Sequence, residues 1–326
     1  MKISVIGAGA WGTALAKLLH QNGHRITLWA HNPARLEAIR LTGRNERYLP
    51  GVRLPGDWIL ETDLLRASAT AEAIIIAVPS KFFREVTSQM SGFAGIAVSV
   101  TKGIEYDTGL SMSGVLRSVM PGAKACALSG PTLAMEVARE IPGAIVAANE
   151  SEETVRTVQK LFHCPTLRVY TSHDLPGVEL GGALKNVFAI AAGTSDGLGF
   201  GDNSKAALIT RAIVEMRRLG VAGGADPDTF AGLSGLGDLV VTCFSKLSRN
   251  RAFGERLGHA ENVEQILANT VTVAEGYPTT RSAYQLARRL GVETPIIDGV
   301  HAMLYEGTPV REALQGLMSR DTRSED

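Results

Sequence analysis

Lys2-Ile-Ser-Val-Ile-Gly-Ala-Gly-Ala-Trp-Gly12 decides how the rest of the chain is read. The β-branched run Ile3 to Ile6 favours a buried strand, and Thr13-Ala-Leu-Ala-Lys-Leu-Leu19 favours a helix. Between them Gly7, Gly9 and Gly12 stand at G-x-G-x-x-G spacing. Gly7 then permits a tight turn, and Gly9 lets the backbone approach a pyrophosphate. Gly12 lets the helix lie close to the strand, with its free N–H groups facing the anion. Three glycines alone are weak evidence; a strand before them and a helix after them are what a dinucleotide site requires. The rival reading is a secretory signal, with Met1-Lys2, an apolar run and the cleavage-like Ala14-Leu15-Ala16. A single lysine, glycines at cofactor spacing and an immediate second strand, Arg25-Ile-Thr-Leu-Trp29, decide against it.

Beyond Trp29 the strand-like runs are Ala73–Val78, Ala97–Thr101, Lys124–Leu128, Ala144–Ala148 and Leu167–Tyr170. Helical segments are expected at Thr13–Gln21, Phe82–Met90, Met112–Val119 and Glu152–Phe162; Ser151 before Glu152 and Glu153 makes a good helix start. Alternating strands and helices predict an α/β fold, a Rossmann-like doubly wound sheet that is mostly parallel at first. After Tyr170 the pattern changes. Leu175-Pro-Gly177 reads as a linker, and from Val178 nearly every segment is helical, beginning with Val178–Ala192 and Ser204–Leu219. The chain therefore divides into a dinucleotide-binding domain, 1–177, and a second, all-α domain, 178–326, with the site between them.

Composition narrows the partners. Thirty-three basic residues balance thirty-three acidic ones over 326 residues, so no global field points to nucleic acid or a membrane. No uncharged apolar stretch reaches the roughly 18 residues of a membrane span. Cys126, Cys164 and Cys243 are scattered, without CxxC or metal-like spacing, which suits buried reduced thiols in the cytoplasm and no metal.

The cofactor reading turns on the end of the second strand, Leu28-Trp29-Ala30-His31-Asn32-Pro33. NAD sites usually place an acid about 20 residues beyond the glycines to hold the ribose 2′-OH. None stands here, and His31 or Arg35 is available to a 2′-phosphate, so NADP(H) is favoured over NAD(H) without excluding the latter. Arg35 is equally readable as an ordinary solvated helix residue.

Chemistry is expected where a charge interrupts apolar sequence. Leu180-Gly-Gly-Ala-Leu-Lys185-Asn-Val-Phe-Ala-Ile-Ala-Ala192 holds one lysine, with Gly181 and Gly182 a turn before it, leaving room for a ligand. Burial lowers a lysine's pKa towards a value useful for proton transfer, whereas a snorkelling stem would leave it ordinary. Lys102 follows a strand and should reach the crevice, and Ser129-Gly130-Pro131-Thr132 ends another strand, where free N–H groups suit an anion or hydroxyl. Asp238 and Thr242 share a helix face, and Asp238 suits either a bond from Lys185 or a dipole-favouring place in a first turn. Ser248-Arg249-Asn250-Arg251 opens a helix with a capping serine, a guanidinium and an amide, a combination suited to phosphate, although a plain N-cap with surface arginines looks the same.

Together these pieces resemble the bacterial-type NAD(P)-dependent sn-glycerol-3-phosphate dehydrogenases. The resemblance runs through Gly7–Ala16, Ala77-Val-Pro-Ser80, Thr101-Lys-Gly-Ile104, Ser129-Gly-Pro-Thr132 and Leu180–Asn186. It continues through Lys205–Arg211, Ser234-Gly-Leu-Gly-Asp-Leu239, Ser248–Arg251 and Val273-Ala-Glu-Gly276. It implies reversible reduction of dihydroxyacetone phosphate to sn-glycerol 3-phosphate for phospholipid synthesis, and a homodimer. It makes Lys185 the proton-transfer residue and Lys102, Gly130, Thr132 and Asp238 substrate contacts, with Ser248, Arg249 and Asn250 around the phosphate. Ala10, Trp11, His31, Lys102, Ala134, Arg249, Val273 and Glu275 would line the cofactor. Other two-domain dehydrogenases, of the 6-phosphogluconate or 3-hydroxyacyl type, and a non-catalytic redox sensor are the competing readings.

Overall fold

The computed structural model describes residues 1–269 and 274–319. Its sheet contains β1 (Lys2–Ile6), β2 (Arg25–Trp29), β3 (Ile59–Glu61), β4 (Ala73–Ile76), β5 (Ile96–Ser99), β6 (Lys124–Ser129), β7 (Gly143–Ala148) and β8 (Leu167–Ser172). They lie in the order β3-β2-β1-β4-β5-β6-β7-β8, parallel throughout except between β6 and β7. Strand order reverses beside β1, so the carboxyl ends of β1 and β4 flank the crevice in which such sheets bind ligands.

Around the sheet run α1 (Ala10–Gln21), α2 (Pro33–Thr42), α3 (Leu64–Ala69), α4 (Phe83–Ser88), α5 (Met112–Val119), α6 (Ala134–Ala138) and α7 (Glu152–Phe162). Both faces of the sheet are covered. In β4, Ala73 and Ile75 join a core with Leu15, Ile39 and Val158, whereas Ile74 and Ile76 join Leu64, Phe83 and Leu116 on the other side. A strand buried on both faces carries an unbroken apolar run, which is why Ala73–Val78 was readable without alternation.

The second half comprises α8 (Leu175–Gly197), α9 (Asp202–Ala222), α10 (Asp238–Phe244), α11 (Arg249–Gly258), α12 (Val263–Ala268), α13 (Gly276–Leu290), α14 (Pro295–Tyr305) and α15 (Val310–Met318). Most of α8 is buried, so it forms the axis of this half. Helix α11 crosses it at very short range. A Cβ on Gly193 would stand 1.9 Å from the Arg251 carbonyl oxygen, and one on Gly254 2.0 Å from that of Ile190. This approach sets the start of α11 beside the turn carrying Lys185.

Two expectations change. Leu175-Pro-Gly177 is no linker: it forms the first turn of α8, where the Asp174 carboxylate accepts from the Gly177 amide at 3.0 Å. Proline is tolerated there because a first-turn N–H has no intrahelical partner. In addition, β3, α2 and α3 form where no element was expected.

Candidate active site

Lys185 lies in the middle of α8 and is only 7% exposed. Its Nζ donates to Asp238 Oδ1 at 2.8 Å and to Thr242 Oγ1 at 2.6 Å. The Thr242 hydroxyl in turn donates to the Asp238 carbonyl at 2.6 Å, which fixes its lone pairs towards the lysine. The amine therefore does not snorkel to water. Asp238 opens α10 and is fully buried, so its place in the first turn and its bond to Lys185 hold together.

The other Asp238 oxygen, Oδ2, accepts from Lys102 Nζ at 2.5 Å, and the same ammonium donates to the Gly130 carbonyl at 3.1 Å. Lys102 stands on the loop after β5, which Thr101 anchors through a hydroxyl bond to the Val78 carbonyl at 2.7 Å. One buried carboxylate thus joins a lysine from each half of the chain. Burial pulls the Lys185 ammonium down to about 8; Asp238 opposes that shift and the Lys102 charge adds to it. Two ammonium groups around one carboxylate leave the cluster short of negative charge, which suits an oxygen that becomes anionic during reaction.

Gly181 and Gly182 do not leave room for a ligand, contrary to the sequence reading. Cβ atoms there would stand 2.6 Å from the Ser234 carbonyl oxygen and 2.4 Å from Ser129 Oγ. They let α8 press against neighbouring protein, and open space lies elsewhere.

At the start of α11, the Ser248 hydroxyl caps the helix by accepting from the Arg251 amide at 3.2 Å. Asn250 is buried: it donates to Asn186 Oδ1 at 2.8 Å and accepts from the Gly276 amide at 2.8 Å. It therefore ties α11 to the neighbour of Lys185 and to the first residue of α13. Arg249 is exposed. Glu275, just before α13, accepts from Ser80 Oγ at 2.6 Å and so links the two halves a second time. Burial raises the Glu275 pKa, while Ser80 and Arg249 counter it.

The glycine turn fits the purpose inferred for it. Gly7 has φ +122°, and a Cβ there would stand 2.5 Å from the Ala77 carbonyl oxygen; one on Gly12 would stand 2.0 Å from that of Gly7. No protein atom lies within 4 Å of the equivalent point on Gly9. Protein thus crowds the first and third glycines and leaves the middle one open to an approaching pyrophosphate. Ala10 begins α1, and Trp11 and Ala134 pack against the same core beneath the turn. Thr132 follows Gly130 and donates to its carbonyl at 3.1 Å. Val273 lies outside the described residues.

At the end of β2, His31 is exposed. Arg35 is not a freely solvated side chain: it donates to the Tyr48 hydroxyl at 2.9 Å and stacks 4.5 Å above its ring. Arg47 lies 5.6 Å from the same ring. Buried Asn45 holds this loop to the glycine turn by donating to the Ala8 carbonyl at 3.0 Å and to Thr13 Oγ1 at 2.8 Å.

The sequence reading did not single out Asn45, Arg47, Tyr48, Ser80 or Asn186. The partners of Asn45, Ser80 and Asn186 are 32 or more residues away, so spacing carried no signal, although Ser80 and Asn186 each close a stretch that carries the resemblance. Cys126 and Cys243 are buried, and burial pushes both thiols up to about 12; Cys164 is only partly buried. No described helix is long and apolar enough to cross a membrane.

Comparison with known proteins agrees with this geometry. A model described as the NAD-dependent glycerol-3-phosphate dehydrogenase N-terminus matches residues 2–155, and its C-terminal counterpart matches residues 174–315. The glycerol-3-phosphate dehydrogenase (NAD(P)+) of Syntrophotalea carbinolica is 50% identical over 331 residues, covering 100% of this chain and 99% of its own. One from a Geobacter species is 48% identical, covering 99% and 98%. The crystal structure of glycerol-3-phosphate dehydrogenase from Coxiella burnetii superposes with a TM-score of 0.94 at 35% identity, over 98% of this chain and 99% of that one. These matches set aside the phosphogluconate-type, hydroxyacyl-type and non-catalytic readings. With a dinucleotide turn in one half and a buried lysine cluster completed by the other, the chain belongs to the NAD-dependent glycerol-3-phosphate dehydrogenase family, whose members are NAD(P)-dependent oxidoreductases.

Proposed function

We propose that Lys185 is the proton-transfer residue for reversible reduction of dihydroxyacetone phosphate to sn-glycerol 3-phosphate. The observation that carries this is its burial against Asp238, with Lys102 on the other carboxylate oxygen. The turn of Gly7, Gly9 and Gly12 would hold a nicotinamide dinucleotide, which would supply hydride to the carbonyl carbon. Lys185 gives its proton to the carbonyl oxygen, so hydride and proton together make the alcohol; the reverse reaction returns the proton to a neutral amine. At neutral pH an amine with pKa about 8 is mostly charged and ready for reduction. Lys102 neutralises charge on the same oxygen, and Gly130 and Asp238 hold Lys102 in place.

Arg249 is the exposed cation at the start of α11 and is assigned to the substrate phosphate. Ser248 and Asn250 act there by holding the helix end, which refines their reading as direct phosphate contacts. Glu275, Ala10, Trp11, His31 and Ala134 are assigned to the cofactor. Arg35 and Arg47 around Tyr48, with no acid at the end of β2, favour NADP(H). The division near residue 177 rests on the change from alternating strands and helices to helices alone, with α8 beginning at Leu175. A cytoplasmic location rests on the scattered cysteines, and a homodimer and supply of phospholipid synthesis on the family resemblance.

The phosphate assignment is tested by NADPH oxidation with dihydroxyacetone phosphate set against unphosphorylated dihydroxyacetone. Arg249→Ala should lower kcat/KM for the phosphorylated substrate about tenfold to a hundredfold and change the other little, since a charge-assisted bond contributes roughly 1.5–3 kcal/mol. Equal losses on both substrates, with NADPH affinity intact, would move the phosphate to Lys102.

A further inference from the structure

Away from the Lys185 cluster, Tyr106, Arg281, Tyr284, Arg288, His301 and Tyr305 line a cavity of about 450 Å³. That size lies within the range of small-molecule sites. Its walls are aromatic and held in place. The Tyr284 and His301 rings stack with centroids 3.9 Å apart and planes 10° from parallel, and His301 stacks on Tyr305 at 5.2 Å. The Tyr305 hydroxyl is committed to the Tyr277 carbonyl at 2.7 Å. Such rings lose little freedom when a ligand arrives.

Among the described residues, the charges around the cavity are matched except for one. Arg288 pairs with Asp298 at 2.7 Å, His301 Nδ1 faces Glu306 at 3.0 Å, and Arg289 donates to the Asp107 carbonyl at 3.1 Å. Arg281 stacks 4.1 Å over the Tyr106 ring, and no acceptor for it is found among the described residues. Its guanidinium therefore lies against an aromatic ring on an exposed residue, with its donors unpaired among the described residues. An isolated surface arginine would be an ordinary solvated side chain; one set against an aromatic ring in the lining of an aromatic cavity is placed to donate to a planar anion.

We propose that this cavity binds a small organic anion, one phosphate or carboxylate borne on a flat ring, with the anion on the Arg281 donors and the ring against its outer face. The site is built from the two segments that also serve the reaction. Tyr106 stands on the turn following Lys102, closed by a Glu105 amide bond to the Leu110 carbonyl at 2.9 Å. Arg281 stands on α13, just beyond Glu275.

Phenyl phosphate titrated calorimetrically into the intact protein tests this. The protein is first saturated with NADP+ and dihydroxyacetone phosphate, both oxidised and so unable to react, which occupies the cofactor and substrate sites. The expected result is saturable one-to-one binding, weakened about tenfold or more by Arg281→Ala and by replacing the probe with phenol, with Arg281→Lys intermediate. Both variants should keep wild-type kcat/KM without the probe, which reports correct folding and stands apart from the roles proposed for Lys185 and Arg249. No saturable binding, or binding unchanged in Arg281→Ala, would overturn the assignment. Dissociation of an oligomer by Arg281→Ala, with no probe bound by wild type, would overturn it in favour of a contact between copies of the chain.

Discussion

Asp238 and Lys102 push the proton affinity of Lys185 in opposite directions, so their removal should move the pH profile in opposite directions. Reduction needs the ammonium, and kcat/KM for dihydroxyacetone phosphate should hold steady below pH about 8 and fall above it. Asp238→Asn removes the attraction that holds the proton, and the falling limb should move to lower pH. Lys102→Met removes a repulsion, and the limb should move to higher pH, whatever happens to the plateau. Shifts of the same sign in both profiles would show that neither charge acts on Lys185. A second prediction at this scale concerns the ribose. Ala30→Asp should repel a 2′-phosphate, and Arg35→Ala should remove a guanidinium held by Tyr48. Each should shift the kcat/KM ratio towards NADH by about tenfold; a wild type that already prefers NADH strongly would contradict the reading of this strand end.

Among the elements, the strand–turn–helix at the amino terminus makes the sharpest separation between folding and binding. Gly12→Ala puts a methyl group 2.0 Å from a backbone oxygen that cannot swing aside, so thermal stability should fall, by about 1–3 kcal/mol or more. Gly9→Ala meets no protein atom and should leave the melting temperature near wild type while raising KM for NADPH. Equal stability losses in the two variants would count against their different surroundings. The same stretch was legible in sequence because strand, turn and helix each leave a local signature there. Seven of the eight strands carried strand-like runs long enough to read, and the helices of the second half were found, most with an end displaced and α15 correct at both of its ends. β3 was missed because Ile59–Glu61 is too short to display a period. α2 was missed although Asn32 before Pro33 is a legible start: the Asn32 side chain accepts from the Ala34 amide and proline takes the first turn. Asp174 capped α8 in the same way, and Leu175-Pro-Gly177 was taken for a break. Lys185 and Asp238 were identified from charge within apolar sequence, with a bond between them as one reading, and Lys102 from its place after a strand. The second lysine on the same carboxylate, and the ties made by Ser80 and Asn250, depend on contacts across much of the chain and left no local mark.

In the whole molecule the two halves meet through polar side chains at the site itself: Lys102 on Asp238, and Ser80 on Glu275. The nucleotide half presents the glycine turn, and the helical half presents the buried Lys185 amine and the exposed Arg249 at the start of α11. On the proposed assignments, chemistry requires both, and binding of the dinucleotide chiefly the first. The most direct measurement is the pH dependence of NADPH oxidation by dihydroxyacetone phosphate in wild type and Lys185→Ala, with NADPH affinity measured alongside. The expected result is a loss of about 10²–10⁴ in kcat, disappearance of the break near pH 8, and cofactor binding largely intact. Near-normal turnover in Lys185→Ala, or the same break persisting without that amine, would contradict the assignment of Lys185 as the proton-transfer residue.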